Sequence, residues 1–214
     1  MKYSYMPSFE HYKEEIKFGL INFDYVEITI LPQFKLEKNS KYVGHLHWED
    51  TLENSNVLEE YKRIGCKWIT IHPRKELNVE ENVKRIKKFV SRGIDVYLEN
   101  IKGMNFRDVM KIVNESGVQG VTLDVGHLNM NKEEVKKYLE TGKVKHVHLH
   151  NSIKGVDHVP FESESELKEW VNLIKEYYDE TICFEIFKGK DEKLLNIKER
   201  QNIMKTYLNL NLLK

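Results

Sequence analysis

Alanine is absent from the 214-residue sequence, and cysteine, proline and glutamine are scarce. The two cysteines, Cys66 and Cys183, lie far apart in apolar runs, which fits neither a disulfide framework nor a CxxC metal site. No apolar run reaches the roughly 18 residues that a membrane span requires. A net charge of one sign is also lacking, because 34 basic side chains balance 34 acidic ones. We therefore expect a soluble, cytoplasmic protein without long-range attraction to nucleic acid or to a membrane.

The apolar pattern predicts eight β-strands separated by amphipathic helices. Short runs rich in Val, Ile, Tyr and Trp alternate with longer stretches of helical period, as in βα units around a parallel sheet. Asn105, Asn131 and Ser163 stand where helix N-caps are expected. The predicted strands are Lys2 to Met6, Tyr25 to Leu31, Tyr42 to Trp48, Trp68 to Pro73, Ile94 to Asn100, Gly120 to His127, Lys145 to Asn151 and Thr181 to Phe187.

Only one link breaks this alternation. The segment from Pro32 to Lys41 is too short and too poorly patterned for a crossover helix. The length suits one domain over residues 1–214, with no linker that would separate a second domain. The sequence therefore predicts an α/β fold, a single eight-stranded (β/α) barrel trimmed at the link between strands two and three.

Metal-competent side chains fall within seven of the eight predicted strands or directly after them. Because barrel enzymes place their catalytic groups at the carboxyl ends of the strands, these side chains are expected to meet at one rim. Several inward carboxylates side by side imply a bound metal or a set of tightly paired bases, and carboxylate with imidazole suits Mn, Mg, Co or Zn. The candidates are Glu27, His45, His47, His72, Glu99, Asp124, His127, His148, His150, Asp157, His158 and Glu185.

Some polar residues also have a simpler interpretation. His11 and His146 are interpreted as ordinary core or surface histidines. Glu27, His47 and His150 are interpreted as residues that support a ligand or contact substrate. Lys154 is a candidate contact for an anionic substrate, although a solvated surface lysine is the simpler explanation.

The order and spacing of seven short motifs resemble the xylose isomerase-like barrel superfamily, which includes endonuclease IV. The resemblance covers nearly the whole chain and implies a (β/α)8 TIM barrel. In that superfamily, single-metal isomerases and epimerases hold the ion with Glu, Asp, His and Glu from successive strands. Those positions match Glu99, Asp124, His148 and Glu185, and Glu99 and Glu185 would move the proton. The motifs are YVGHLHW, WITIHP, VYLEN, VTLDVGHLNM, KHVHLHNS, DHVPF and CFEIF.

Endonuclease IV has the same plan with extra ligands for three zinc ions. The resemblance implies that His45, His72, His127 and His158 occupy the matching places. One departure concerns the third ion, because Val156 stands where that version has aspartate two residues before the histidine. Asp157 is the neighbouring candidate.

Three functions therefore remain open. The neutral charge and short strand-exit loops favour a divalent-metal-dependent isomerase or epimerase of a sugar or sugar phosphate over a nuclease. The alternatives are a zinc phosphodiesterase that acts on abasic DNA and a barrel that binds metal without catalysis. The expected partner is a small carbohydrate substrate rather than a nucleic acid or a membrane, and a homodimer is left open.

Overall fold

The computed structural model describes residues 1–31, 33–46, 55–90 and 93–210. Eight parallel strands close into a barrel in the order β1-β10-β7-β6-β5-β4-β3-β2. The predicted barrel is confirmed, since each of its strands overlaps one predicted from the sequence. The barrel strands are β1 (Lys2–Tyr5), β2 (Tyr25–Ile28), β3 (Tyr42–His45), β4 (Trp68–Ile71), β5 (Asp95–Glu99), β6 (Gly120–Asp124), β7 (Val144–Leu149) and β10 (Thr181–Phe184).

The described residues contain seven α-helices, which lie between the barrel strands along the chain or after the last of them. Asn105, Asn131 and Ser163 cap three of them through side-chain oxygens that accept backbone N–H groups, as the sequence predicts. The helices are α1 (Tyr12–Asn22), α2 (Ser55–Ile64), α3 (Val79–Val90), α4 (Phe106–Ser116), α5 (Lys132–Leu139), α6 (Glu164–Lys175) and α7 (Ile197–Asn209). None of them is both long and apolar enough to cross a membrane.

Two connections differ from a plain βα repeat. The described part of the link between β2 and β3 contains no helix, as predicted. After β7, the chain forms an antiparallel hairpin of β8 (Asn151–Ile153) and β9 (Val156–Val159), which the strand pattern did not predict. This hairpin contacts a short 3₁₀ helix, Gly126–Leu128, that directly follows β6.

Alternation along each strand separates an apolar outer layer from the barrel interior. On β1, the Tyr5 ring packs against two phenylalanine rings of the α1 region, Phe18 and Phe23. Gly19 permits this close packing, because a Cβ atom there would lie 2.8 Å from Val26 Cγ2. The apolar core therefore fills the space between the strands and the helices.

The barrel interior itself is layered. At the amino end of the strands, the Trp68 ring contacts the rings of Tyr25, Tyr97 and His146. Above this aromatic layer, buried polar groups interact across the barrel, as where Thr70 Oγ1 lies 2.9 Å from Thr122 Oγ1. The polar character increases toward the carboxyl ends of the strands.

Candidate metal centre

Four buried side chains meet where β5, β6, β7 and β10 end. His148 Nδ1 lies 3.2 Å from Glu99 Oε2, 3.1 Å from Glu185 Oε2 and 4.0 Å from Asp124 Oδ2. Each side chain occupies an inward position at or just beyond the end of its strand. The structure therefore brings Glu99, Asp124, His148 and Glu185 together.

The donor atoms of this group fit a divalent cation. Glu99 Oε2, His148 Nδ1 and Glu185 Oε2 are buried and have no hydrogen-bond partner among the described residues. A buried polar atom without a partner is costly. Metal–ligand distances of about 2.0–2.2 Å place neighbouring ligands about 3 Å apart, close to the spacing of these atoms. Cation binding would satisfy all three atoms at once.

Glu27 on β2 fixes the orientation of His148. Both Glu27 carboxylate oxygens lie 3.1 Å from His148 Nε2, and Oε2 also lies 2.7 Å from His146 Nε2. Since the carboxylate accepts, Nε2 of His148 carries the hydrogen, and the Nδ1 lone pair of the neutral ring is turned toward the cluster. Burial would raise the pKa of Glu27, but the imidazole rings of His148 and His146 outweigh it and hold that pKa well below its usual range.

The carboxylates around His148 require positive charge at this point. Burial lowers the pKa of His148, yet Glu27, Glu99 and Glu185 outweigh it and raise that pKa well above its usual value. Either a proton on the ring or a cation beside it meets this requirement. The two compete, because a ligating nitrogen must be free of its proton.

A second set of ligands shares Glu99. His72 Nε2 lies 3.3 Å and His45 Nε2 4.0 Å from Glu99 Oε2. His45 Nδ1 lies 3.2 Å from Glu27 Oε1, so the same buried acid orients this ring. The donor atoms of His45, His72 and Glu99 are close enough to hold one ion.

A third set lies on the other side of Glu99. His127 Nδ1 is 3.4 Å from Glu99 Oε1 and 3.6 Å from Asp124 Oδ2. The same nitrogen lies 3.0 Å from the Asn100 carbonyl oxygen, which accepts, so Nδ1 carries the hydrogen and Nε2 is the nitrogen of this ring that can ligate. The His127 backbone N–H donates to Asp124 Oδ1 at 2.7 Å. The two oxygens of Glu99 therefore face different histidines.

His150 and His158 complete the rim next to Glu185. His150 Nε2 lies 3.1 Å from Asp124 Oδ2, and its Nδ1 accepts the His158 backbone N–H at 3.0 Å. His158 has a left-handed backbone with φ of 64°, and its Nδ1 lies 3.9 Å from Glu185 Oε1. Backbone N–H groups of Phe187 and Lys188 donate to the His158 carbonyl and hold this conformation.

Three further candidates lie elsewhere or outside the described residues. The Asp157 carboxylate accepts from Ser152 Oγ at 2.6 Å and pairs with Lys102 Nζ at 3.2 Å, so its oxygens are engaged within and beside the hairpin. The expectation that Asp157 supplies a ligand is not supported by this placement. Lys154 is exposed at the hairpin turn, and His47 lies outside the described residues.

The sequence analysis did not identify two residues that support the site. Asn100 is buried and holds the Asp124 backbone from both sides, with Nδ2 to the carbonyl at 2.9 Å and Oδ1 accepting the N–H at 2.7 Å. Its position directly after Glu99 at a strand exit was the available signal. Arg200 on α7 pairs with buried Glu15 and donates to the carbonyl of Ile186, next to Glu185, at 2.7 Å. Nothing in the local pattern of α7 indicated this long-range contact.

A cavity of about 940 Å³ opens above the cluster. Its floor includes Glu99, Glu185 and the rings of His45, His72 and His127. This volume is in the range of pockets that bind small molecules. The candidate ligands are therefore accessible from the mouth of the barrel.

Solved structures support the same fold. A xylose isomerase domain protein from Planctomyces limnophilus aligns with a TM-score of 0.64 at 10% identity, covering 98% of this chain and 96% of its own. The AsfvAP:AG structure aligns with a TM-score of 0.64 at 15% identity, covering 100% and 99% of the two chains. Phosphoribosylanthranilate isomerase from Thermotoga maritima aligns with a TM-score of 0.54 at 12% identity, covering 98% and 97%. At these identities the likeness concerns the fold alone.

The sequence comparisons give a family. No curated protein matches the chain significantly. The xylose isomerase-like TIM barrel family matches residues 55–207, which is most of the chain and contains every candidate ligand beyond β3. The chain belongs to the xylose isomerase-like TIM barrel family.

Proposed function

We propose that this chain is a metal-dependent hydrolase of phosphate esters whose centre holds more than one divalent cation. The observation that carries the proposal is the position of Glu99. Its Oε2 atom lies near His148 of the first ligand set and near His72 of the second, and its Oε1 atom faces His127 of the third. A carboxylate between separate groups of ligands is suited to bridge two cations.

The number of histidines also supports this reading. A single-cation isomerase requires only Glu99, Asp124, His148 and Glu185. It gives no role to His45 and His72, whose Nε2 atoms both approach Glu99. These extra rings match the positions implied by the resemblance to endonuclease IV.

Divalent cations bound at these residues would polarise a phosphoryl oxygen and lower the pKa of a bound water. The protein residues perform the remaining tasks. Glu27 keeps His148 turned toward the cluster, and Asn100 fixes the backbone of Asp124. Burial lowers the pKa of His158, which favours the neutral form of that ring beside Glu185.

The proposal is tested by metal content and turnover together. The purified protein should contain more than one Zn or Mn ion per chain by plasma mass spectrometry, and should cleave an abasic-site duplex or bis(p-nitrophenyl) phosphate. His72→Asn should remove one ion and retain the ion at His148. A single ion in the wild type, unchanged by His72→Asn, contradicts the proposal.

A second candidate function rests on the pair of glutamates. Glu99 Oε2 and Glu185 Oε2 lie on either side of His148 Nδ1, at 3.2 and 3.1 Å. Two carboxylates beside one cation suit a sugar isomerase or epimerase, in which one removes a proton and the other returns it. The volume of the cavity also suits a small carbohydrate.

Metal content and turnover also distinguish the two candidate functions. An isomerase or epimerase should bind one ion per chain and exchange a sugar C–H proton with deuterium from solvent, and Glu185→Gln should stop that exchange. Metal binding without turnover of phosphate esters or sugars would indicate a non-catalytic barrel. Cys66 and Cys183 are free and buried, which is compatible with the cytoplasmic location that we propose.

A further inference from the structure

One wall of the cavity is basic although the chain as a whole has no net charge. The loop after β4 contributes Arg74 and Lys75, α3 contributes Arg85, and the loop after β5 contributes Lys102. These four side chains lie on neighbouring elements beside the candidate ligands His72 and Glu99. The wall is distinct from the cluster, because arginine and lysine side chains are cationic donors that cannot ligate a metal ion.

The loop that carries Arg74 and Lys75 is fixed in place. Buried Asn82 accepts the Arg74 backbone N–H at 2.8 Å and donates to the Arg74 carbonyl at 2.9 Å. Asn78 and Glu81 exchange side-chain to backbone hydrogen bonds of 2.9 Å at the start of α3. The side chains of Arg74 and Lys75 therefore extend from a loop whose backbone is held by hydrogen bonds.

The basic wall adjoins the cluster through His72. Arg85 Nη1 donates to the His72 carbonyl at 3.3 Å, and Arg74 follows His72 by two residues. A ligand that reaches the proposed metal ions from this side of the cavity would pass the guanidinium groups of Arg74 and Arg85. Arginine is well suited to hold a phosphate through paired N–H groups.

Two of these basic side chains, Arg74 and Lys102, pair with carboxylates. Arg74 Nε lies 3.8 Å from Glu76 Oε1, and the Glu76 side chain is 68% exposed. Lys102 Nζ lies 3.2 Å from Asp157 Oδ2, with the lysine side chain 39% exposed. The pair of Arg74 with the exposed Glu76 contributes little to stability, so an anionic ligand can replace Glu76 at little cost.

The opposite wall carries exposed apolar side chains beside charged ones. Phe9 and Leu194 line it and are 50% and 68% exposed, and Phe187 lies beside them. Exposed apolar side chains that face a basic wall across one cavity fit a ligand with an anionic end and an apolar face. The cavity volume fits a small molecule better than a duplex.

We infer that Arg74, Lys75, Arg85 and Lys102 form a subsite for a phosphate group that is not the one at the cations, so that the substrate is a small phosphorylated molecule. The inference rests on the proposed function because it extends the site of that reaction. The substrate class can be tested by binding alone, without turnover. A duplex oligonucleotide is the competing ligand.

The test is calorimetric binding of ribose 5-phosphate and of ribose to the metal-loaded protein. Ribose 5-phosphate should bind at least tenfold more tightly than ribose. The double variant Arg74→Ala with Lys75→Ala should lose most of that difference without any change in metal content. The matched control, Lys84→Ala with Lys87→Ala, removes two exposed lysines of α3 outside the cavity and should bind like the wild type.

Three results would overturn the inference. Equal affinity for both sugars shows that the wall holds no phosphate. A preference that survives in the Arg74 and Lys75 variant places the phosphate on the cations instead. A duplex oligonucleotide that binds more tightly than ribose 5-phosphate, with the same loss in the variant, would assign the wall to nucleic acid. Failure of the proposed function is seen separately, as absent ester hydrolysis with this binding pattern intact.

Discussion

The two ends of the barrel interior are built from the same strands but from opposite chemistry. On β5, Tyr97 lies in the aromatic layer at the amino end, and Glu99, two residues later on the same face, lies in the cluster at the carboxyl end. Trp68 on β4 and His72 directly after β4 differ in the same way. Aromatic packing closes one end, whereas the other end holds buried acids that need a cation. Stability and function are therefore separated along each strand.

The largest effect is expected from replacing Glu99. Glu99→Ala removes the oxygen atoms shared by all three ligand sets, so bound metal should fall to a residual level and any hydrolysis should drop at least about 1,000-fold. Metal content by plasma mass spectrometry measures the first effect. Tyr97→Phe, on the same face of β5, is the matched control and should retain both metal and activity. A Glu99→Ala protein with wild-type metal content would contradict the assignment of metal binding to the carboxyl end of the barrel.

The aromatic end should respond in stability instead. Trp68→Ala removes the ring that joins Tyr25, Tyr97 and His146, and should lower the free energy of unfolding by about 3 kcal/mol in urea denaturation. The folded variant should still bind metal in the wild-type ratio, and Trp68→Phe should cost less. Loss of metal from a variant of unchanged stability would show that the two ends are not separate.

The layer between the two ends should give an intermediate effect. Glu27→Gln removes the charge that orients His148 and His45 but keeps a carbonyl oxygen that accepts a hydrogen bond. Metal affinity in a chelator competition should fall about 10–100-fold, the usual effect of losing a carboxylate behind a ligating histidine. Thr70→Val, at the same depth, is the control. Equal affinities of Glu27→Gln and the wild type would contradict a supporting role for Glu27.

The smallest effect is a pH dependence of metal binding. The surrounding carboxylates raise the pKa of His148, so the ring keeps its proton to a higher pH than an ordinary histidine. Since the proton must leave before Nδ1 can bind a cation, affinity should rise with pH by up to about tenfold per unit until that pKa is passed. Calorimetry at pH 6, 7 and 8 measures this slope. A flat profile would mean that His148 does not ligate.

The strands, the caps and the polar rim follow from local pattern, and these were predictable. Period-two alternation places Tyr97 and Glu99 on one face before any contact is known. Asn105, Asn131 and Ser163 cap helices through short-range hydrogen bonds, which need no information from distant residues. The trimmed link between β2 and β3 follows from its length.

What was not predictable depends on contacts between distant parts of the chain. Glu27 meets His146 and His148 across 119 and 121 residues, and Arg200 meets Glu15 across 185. The orientation of Asp157 depends on the β8–β9 hairpin, which turns its carboxylate to Lys102 and Ser152. These features arise from barrel closure and loop geometry, about which composition and periodicity carry no information.

Anomalous X-ray diffraction at the zinc edge, on crystals grown with zinc, tests the central claim most directly. The account predicts at least two peaks at the barrel mouth, one beside His148 and Glu185 and another beside His45 and His72, with Glu99 between them. A single peak beside His148, or peaks away from Glu99, would contradict a shared centre.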